Sequence, residues 1–469
     1  MNTDRRGFIT GAALAAGGAA LSGCAGGRCG GSCQGGAAPM MGFVAPKLER
    51  VRVGIIGLGQ RGSGAVGRLA SVPGVEVTAI CDNVPEKVAR ARETLAKKGV
   101  PAAREFGGDE GWKALCEFDG VDVVYSTTPW YLHVKTGVYA MKSGKHVMIE
   151  VPSAMYIDEC WELVETAEKT RRHCMQLENC VYGESELLAF EVCREKILGD
   201  LLYGECGYLH DRRSGVFSDM FTDHWRMWWN VRHRGDQYPT HGFGPICRCM
   251  DVNCGDRLDY LVSVDTMQAG YEAYAKAKFP GTWKADLKFE TGDATFTTVR
   301  TAKGRVIVIK HDTTSPRPYS RINRLQGTRG AIEGSCVDND ANNEWPLRVA
   351  VEDEVGSGAR RWLNGEATER FRQLHRHPLW KVAGEIATKT GGHGGMDFLM
   401  DLSWTHCIRN GLPLDMDVYD LAAWCSVCEA SERSVRSGSR PQELPDFTRG
   451  AWRTAQPRDI ARITPDDLA

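Results

Sequence analysis

One short stretch constrains this chain more than any other. Val51-Arg-Val-Gly-Ile-Ile-Gly-Leu-Gly-Gln-Arg-Gly-Ser-Gly64 reads as a buried strand, then Gly57-x-Gly59-x-x-Gly62, then the start of a helix. A second apolar run, Val75 to Cys81, ends in Asp82, 20 residues after Gly62. The glycines let backbone approach a pyrophosphate. The helix N-terminus offers unpaired N–H donors, and the acid at the next strand tip accepts from ribose hydroxyls. Strand, glycine turn, helix and acid in that order predict a Rossmann half-domain. The Asp82 carboxylate repels a 2′-phosphate, and Asn83 rather than Arg follows it, so the expected cofactor is NAD rather than NADP.

Strands and helices continue to alternate. Residues 84–98 have helical periodicity, 121–126 form a strand, a helix ends near Gly144, and 146–150 form another strand closed by Val151-Pro152. This order predicts a parallel sheet with right-handed crossovers and ligands at its strand C-terminal ends. Residues 174–179 read as a last strand at the junction. Beyond residue 180 the pattern changes. One helix over 184–198 precedes strand-like runs at 205–211, 258–264, 286–301, 305–311 and 347–353, with a hairpin about Ala302-Lys-Gly304. The expectation is a mostly antiparallel sheet, one face on helices and one face open to a second subunit. Residues 211–240 read as a long irregular segment rich in aromatics and arginines, of the kind that carries function. Two final helices, over 395–410 and 416–437, are expected to return to the interface. The predicted class is α/β: a doubly wound Rossmann sheet plus a C-terminal α/β domain with an open, mostly antiparallel sheet. The predicted divisions are 1–46, 47–178 and 179–469.

The N-terminus is read as a targeting segment. Arg5-Arg6 followed by an uncharged stretch resembles a bacterial twin-arginine export signal, and Leu21-Ser-Gly-Cys24 resembles a lipoprotein cleavage box. The expected location is periplasmic or on the cell envelope, with the membrane touched only through a lipid on Cys24. Residues 25–46 read as a flexible tether. The remaining chain of about 420 residues is too long for one core. A formal net charge of -2 gives no basic footprint for nucleic acid. The 17 cysteines allow disulfides in an exported chain, but most sit in apolar runs where a thiol behaves as a small core residue. Cys425-Ser-Val-Cys428 lies in a helical pattern with no second pair at zinc spacing, and no HExxH occurs, so no metal site is expected.

Seven runs, in order, carry a resemblance. They are Glu178-Asn-Cys-Val-Tyr182, Gly207-Tyr-Leu-His-Asp211, Tyr238-Pro-Thr-His-Gly242, Gly255-Asp-Arg-Leu-Asp-Tyr-Leu-Val262, Pro316-Arg-Pro-Tyr-Ser-Arg321, Gly391-Gly-His-Gly-Gly-Met-Asp397 and Asn410-Gly-Leu-Pro-Leu-Asp-Met-Asp417. With the Rossmann pattern they make the chain resemble glycoside hydrolase family 109, the NAD-dependent α-N-acetylgalactosaminidases of the Gfo/Idh/MocA oxidoreductase superfamily. That superfamily commonly carries Glu-Lys-Pro after its fifth strand. Here the tripeptide is Glu150-Val151-Pro152, which lacks the catalytic lysine of an ordinary dehydrogenase.

The resemblance implies a redox-neutral glycosidase. Hydride leaves sugar C3 for the nicotinamide, the C2 proton becomes acidic, the C1 substituent is eliminated, water adds, and the hydride returns. It implies His241 and Tyr238 as catalytic residues, with the histidine accepting a proton at the oxidised carbon. It implies Tyr208, Arg226, Tyr238 and Tyr319 around the sugar. For NAD it adds Gln60, Arg61, Trp130, Tyr131, Leu132, His133, Glu150, Val151, Asn179 and Arg226 to Gly57, Gly59, Gly62 and Asp82. Tyr182, His210 and His393 rank behind these, and Trp225, Trp228 and Trp229 either stack on a sugar or pack internally. Two alternatives share the fold: a net sugar dehydrogenase and a non-catalytic NAD-binding carbohydrate sensor.

Overall fold

The computed structural model describes residues 38–334, 347–352 and 359–468. In chain order its first elements are β1 (Val51–Ile56), α1 (Gln60–Leu69), β2 (Val75–Cys81), α2 (Pro85–Lys97), β3 (Arg104–Phe106), α3 (Gly111–Glu117), β4 (Val123–Ser126), α4 (Trp130–Lys142), β5 (His146–Ile149), α5 (Ile157–Thr170) and β6 (Cys174–Gln176). The six strands form one parallel sheet in the order β3-β2-β1-β4-β5-β6. Helices cover both faces, so β4 and β5 are buried along their whole length and carry almost only apolar side chains. β3 was not anticipated. It has three residues and two exposed side chains, too short and polar to show periodicity.

The chain continues through α6 (Glu184–Arg194), β7 (Leu201–Leu209), α7 (Arg213–Val216), α8 (Trp225–Arg232), α9 (Thr240–Cys249), β8 (Leu258–Asp265), α10 (Gly270–Lys278), β9 (Ala294–Thr301) and β10 (Val306–Asp312). Then come β11 (Arg324–Gly327), β12 (Gly330–Glu333), β13 (Arg348–Val351), α11 (Gly365–His375), α12 (Pro378–Thr390), α13 (Met396–Asn410), α14 (Val418–Arg436) and β14 (Gln442–Glu443). The sheet order is β13-β12-β11-β7-β10-β9-β8-β14, and every pairing is antiparallel except β7 with β10. β9 alternates buried and exposed along its length, so one face packs on helices and the other is open. The β9–β10 hairpin turns where Ala302-Lys-Gly304 was read, with Gly304 at φ 87° and its N–H donating to the Thr301 carbonyl.

Three expectations need correction. Residues 211–240 are not irregular throughout. They hold α7 and α8, whose tryptophan spacing is a helical face. The tether reading of residues 25–46 fails for its described end. Met40 is buried, its N–H donates to the Tyr419 hydroxyl, and the Phe43 ring packs 4.7 Å from His173 under the Arg171 guanidinium. Apolar side chains at 40 and 43 gain more from docking than a tether gains from freedom. β11, β12 and β14 escaped notice because they are two to four residues long. The export signal and Cys24 lie outside the described residues.

α13 and α14 do return to the Rossmann sheet. Arg68 of α1 donates to Asp401 of α13 at 2.6 Å, and Glu429 of α14 accepts from the Ile157 N–H that opens α5. The thirteen cysteines among the described residues are all buried, Cys425 and Cys428 included. Burial pushes the Cys81, Cys116 and Cys425 thiols up to about 12, which keeps them neutral, as core packing requires. Among the described residues no helix is long and apolar enough to cross a membrane.

Candidate functional site

The C-terminal ends of β1, β2, β4 and β5 open into a cavity of about 790 Å³. Its opposite wall comes from β7, the segment leading into α8, the first turn of α9, and the stretch Pro318 to Arg321.

One end is built from backbone. Gly57 has φ 87°, and a Cβ there would meet the Thr127 carbonyl oxygen at 2.8 Å. A Cβ at Gly62 would overlap the Gly57 carbonyl oxygen, so Gly62 packs the helix onto the turn rather than lining the cavity. A Cβ at Gly59 would meet nothing within 4 Å, because Gly59 faces the open space. No side chain caps α1, which leaves its first N–H groups for a ligand. Asp82 stands at the tip of β2, oriented by the Leu58 and Val84 N–H groups at 2.7 and 2.9 Å. These residues fit a dinucleotide: glycine turn for pyrophosphate, carboxylate for ribose.

Arg61 and Glu150 line the cavity but also belong to a buried network. The Arg61 guanidinium donates to Glu150 at 2.8 Å and to Asp397 at 3.1 Å, and lies 3.0 Å from His393 Nδ1. Asp397 also accepts from Asn179 at 2.5 Å and from Arg68. Burial raises the Asp397 carboxyl, but Arg61, His393 and Arg68 outweigh burial and hold it well below the usual range. Arg61 and Asn179 therefore shape the cavity floor through Asp397, which the sequence reading missed although it closes the Gly391–Asp397 run. His133 is likewise a brace: its two ring nitrogens lie 2.8 and 2.7 Å from the Pro152 and Thr128 carbonyl oxygens. Tyr131 and Leu132 line the cavity on the first turn of α4.

The other end is built from side chains. Trp130, Val151, Tyr208 and Tyr238 form a buried apolar cluster with Trp225, Trp229 and Tyr319 packed against it. Val151 fills the position after Glu150 with an aliphatic group, so no cation stands there. The Trp130 indole N–H donates to the Val151 carbonyl. Trp225 and Trp229 pack edge-on to Trp130, while Trp228 stacks on Trp283 away from the cavity. The Arg226 guanidinium lies over the rings of Trp130 and Tyr238, at 4.8 and 5.0 Å.

His241 sits in the first turn of α9. Gly242 beside it lets the helix approach β7, since a Cβ there would meet the Gly207 backbone nitrogen at 2.5 Å. The His241 Nδ1–H donates to Glu178 Oε1 at 2.7 Å. Glu178 is fully buried and also accepts from the Cys180 N–H. Burial raises its carboxyl, but His241, by its charge when the ring is protonated and by its hydrogen bond, prevails and lowers it. A carboxylate only accepts, so the proton of a neutral His241 ring sits on Nδ1 and Nε2 keeps its lone pair. The perpendicular Tyr238 ring lies 4.9 Å away. Burial, with Tyr208 nearby, raises the Tyr238 hydroxyl well above its usual value despite Arg226, so it stays protonated.

His210 joins the cavity against Tyr319. Burial, then Arg212 and Arg226, lower it to about 4, which keeps it neutral. Tyr182 does not reach the cavity; its hydroxyl donates to Asp415 at 2.8 Å behind it. Glu178, Cys180 and His241 place potential metal-ligand atoms within 4.8 Å of one another. Two of the three, Glu178 and His241, are already paired with each other through His241 Nδ1. The sequence places Glu178 at the head of the Glu178–Tyr182 run with no role expected of it. The signal was present: a lone acid flanked by Leu177 and Cys180-Val181 at the end of a buried strand.

Two family models match the chain: "Oxidoreductase family, NAD-binding Rossmann fold" over residues 51–177, and "Glycosyl hydrolase 109, C-terminal domain" over residues 182–454. The chain is 45% identical over 421 residues to glycosyl hydrolase family 109 protein 1 of Bacteroides thetaiotaomicron, covering 88% of each. It is 42% identical over 459 residues to a family 109 protein of Solibacter usitatus, covering 97% of this chain and 99% of the relative. Among solved structures it is similar in fold to a levoglucosan dehydrogenase in complex with NADH and L-sorbose (TM-score 0.64, 19% identity, 85% of this chain and 100% of that one). It is also similar in fold to an apo scyllo-inositol dehydrogenase from Lactobacillus casei (TM-score 0.59, 14% identity, 85% and 99%).

Proposed function

The chain belongs to glycosyl hydrolase family 109, and we propose that it removes a terminal α-linked N-acetylgalactosamine, or a closely related sugar, from a glycan. The observation that carries this reading is the buried Glu178–His241 pair, which leaves a free Nε2 in a cavity shared by a dinucleotide cradle and an aromatic wall. When bound, NAD⁺ supplies a two-electron acceptor for the sugar C3 hydride and returns it at the end, with no net oxidation. The residues around it manage protons and orientation. His241 Nε2 takes the proton of the C3 hydroxyl. With C3 a ketone, the C2 proton is acidic, its loss expels the C1 substituent, and water adds to the resulting double bond. Tyr238, held as a neutral phenol, donates a hydrogen bond to the sugar. Tyr208, Arg226 and Tyr319 fix the ring.

The test is turnover of an aryl α-N-acetylgalactosaminide in deuterated water. Deuterium at C2 of the released sugar, with no NADH accumulating, supports the reading. Product without C2 deuterium overturns it. The fold likeness to a levoglucosan dehydrogenase favours a second reading, a net sugar dehydrogenase. NADH appearing in proportion to added free sugar is its signature; the aliphatic Val151 after Glu150 argues against it. The N-terminal signal pattern supports an exported, envelope-held enzyme, to be checked by metabolic lipid labelling of Cys24. The open face of the C-terminal sheet supports a homo-oligomer, to be checked by light scattering.

A further inference from the structure

The aromatic end of the cavity holds more positive charge than a neutral sugar uses. Arg212 and Arg226 both line it, and their charges oppose each other. Arg226 lies deep in the protein yet keeps part of its surface open to the cavity. Burial first, and then Arg212, lower its pKa, so the fold holds this cation against an unfavourable field. Its guanidinium lies over the rings of Trp130, Phe221 and Tyr238. Among the described residues, no carboxylate lies within 4.0 Å of either guanidinium.

Asp223 also lines the cavity but lies more than 4.0 Å from either guanidinium, and three other acids are engaged elsewhere. Asp211 is held by Arg213 at 2.7 and 2.9 Å, Asp312 accepts from the Thr314 and Ser315 N–H groups, and Glu150 takes Arg61. The Arg212 Nε is buried with no hydrogen-bond partner. His210 between the arginines is neutral and supplies no counter-charge. Both arginines are partly buried, and a partly buried cation that no carboxylate neutralises is favoured by an anionic ligand. One arginine over aromatic rings can be accounted for by a sugar hydroxyl or amide oxygen. Two that line one cavity and act on each other's charge call for an anion with several acceptor oxygens.

We propose that the preferred substrate carries an anionic group, a carboxylate or a sulfate ester on the glycan, which Arg212 and Arg226 bind together. This deepens the glycosidase reading and rests on it. The anion sits at the aromatic end, away from the glycine cradle that takes the pyrophosphate. It gives the site a charge preference that a neutral hexosamine does not use.

The experiment compares three nitrophenyl glycosides on the NAD-loaded enzyme: a neutral N-acetylhexosaminide, its 6-sulfate, and a hexuronide. We expect kcat/KM for one anionic compound to exceed that of the neutral one by roughly 10- to 100-fold, the range of a charge-assisted hydrogen-bond pair. The sulfate and uronide arms identify which anion it is. Added salt should raise KM for the anionic substrate more than for the neutral one. R212Q should collapse the ratio towards one, and R212K should preserve part of it. NAD retained through gel filtration by both variants shows an intact fold and cradle. Equal rates on all three compounds overturn the proposal, as does a ratio unchanged in R212Q. Loss of bound NAD from R212Q also overturns it, because the arginine would then serve the cofactor. If no glycoside is cleaved by an enzyme that retains NAD, the glycosidase reading itself fails, and the two failures are thereby distinct.

Discussion

The two ends of the cavity solve binding differently. The glycine end uses backbone: a turn, a helix terminus and one carboxylate, all within residues 51–82. The aromatic end uses side chains from segments far apart in sequence, and its central pair, Glu178 and His241, is separated by 63 positions. Backbone recognition tolerates no Cβ at fixed places, and little else matters. Side-chain recognition depends on burial and on which neighbours hold each ring. The first kind of site is robust and general. The second is where the proposed reading puts the chemistry and the sugar preference.

That contrast can be broken by substitutions on either side. H241A should have the largest effect, a loss of about 10³-fold or more in kcat with NAD still bound, since it removes proton transfer without touching the cradle. Turnover within a few-fold of wild type would remove His241 from the mechanism. E178Q comes next, at roughly 10²-fold in kcat with KM little changed, because a glutamine no longer fixes the proton on Nδ1. The double variant E178Q/H241A should be no slower than H241A alone. An additive loss would show that Glu178 does not act through the histidine.

G62A probes the other end. The methyl group would overlap the Gly57 carbonyl oxygen, and overpacking of this kind costs about 1–3 kcal/mol. NAD affinity and melting temperature should fall together, and added NAD should restore part of the rate. Full affinity in G62A would mean that the turn relaxes more easily than its geometry implies.

The smallest effect concerns pH. Asp236 lies beneath Tyr238, fully buried, and burial pushes its carboxyl up to about 7 although the Tyr238 N–H opposes this. An unfolded aspartate titrates near 3.9. The folded state therefore binds more protons between about pH 4 and pH 7. The contribution is full below pH 4 and lost as pH rises through about 7. Calorimetry from pH 5 to 8 should show a melting temperature that declines with pH, and D236N should flatten the decline.

The same contrast explains what the sequence revealed. The parallel Rossmann sheet and Asp82 were legible because strand, turn and helix are local patterns; its strand order, with the three-residue β3 at one edge, was not. The hairpin at Ala302-Lys-Gly304 was legible for the same reason. α8 was read as loop because its tryptophans looked like a binding surface rather than a helical face. Arg61 was assigned to the cofactor, yet its charge is shared with Glu150 and Asp397, more than 80 residues away in sequence. Arg212 was not singled out within the arginine-rich segment 211–240. One of two consecutive arginines after a strand tip is ordinary until the cavity it shares with Arg226 and His210 is known.

One measurement bears most directly on the central claim, that a held nicotinamide enables glycoside cleavage without being consumed. The purified protein is stripped of nucleotide under conditions that keep it folded, assayed on an aryl α-N-acetylgalactosaminide, and then titrated with NAD⁺. The account predicts no turnover without nucleotide, and full recovery at one NAD⁺ per chain with no NADH released. Undiminished cleavage by the stripped, folded protein would contradict it.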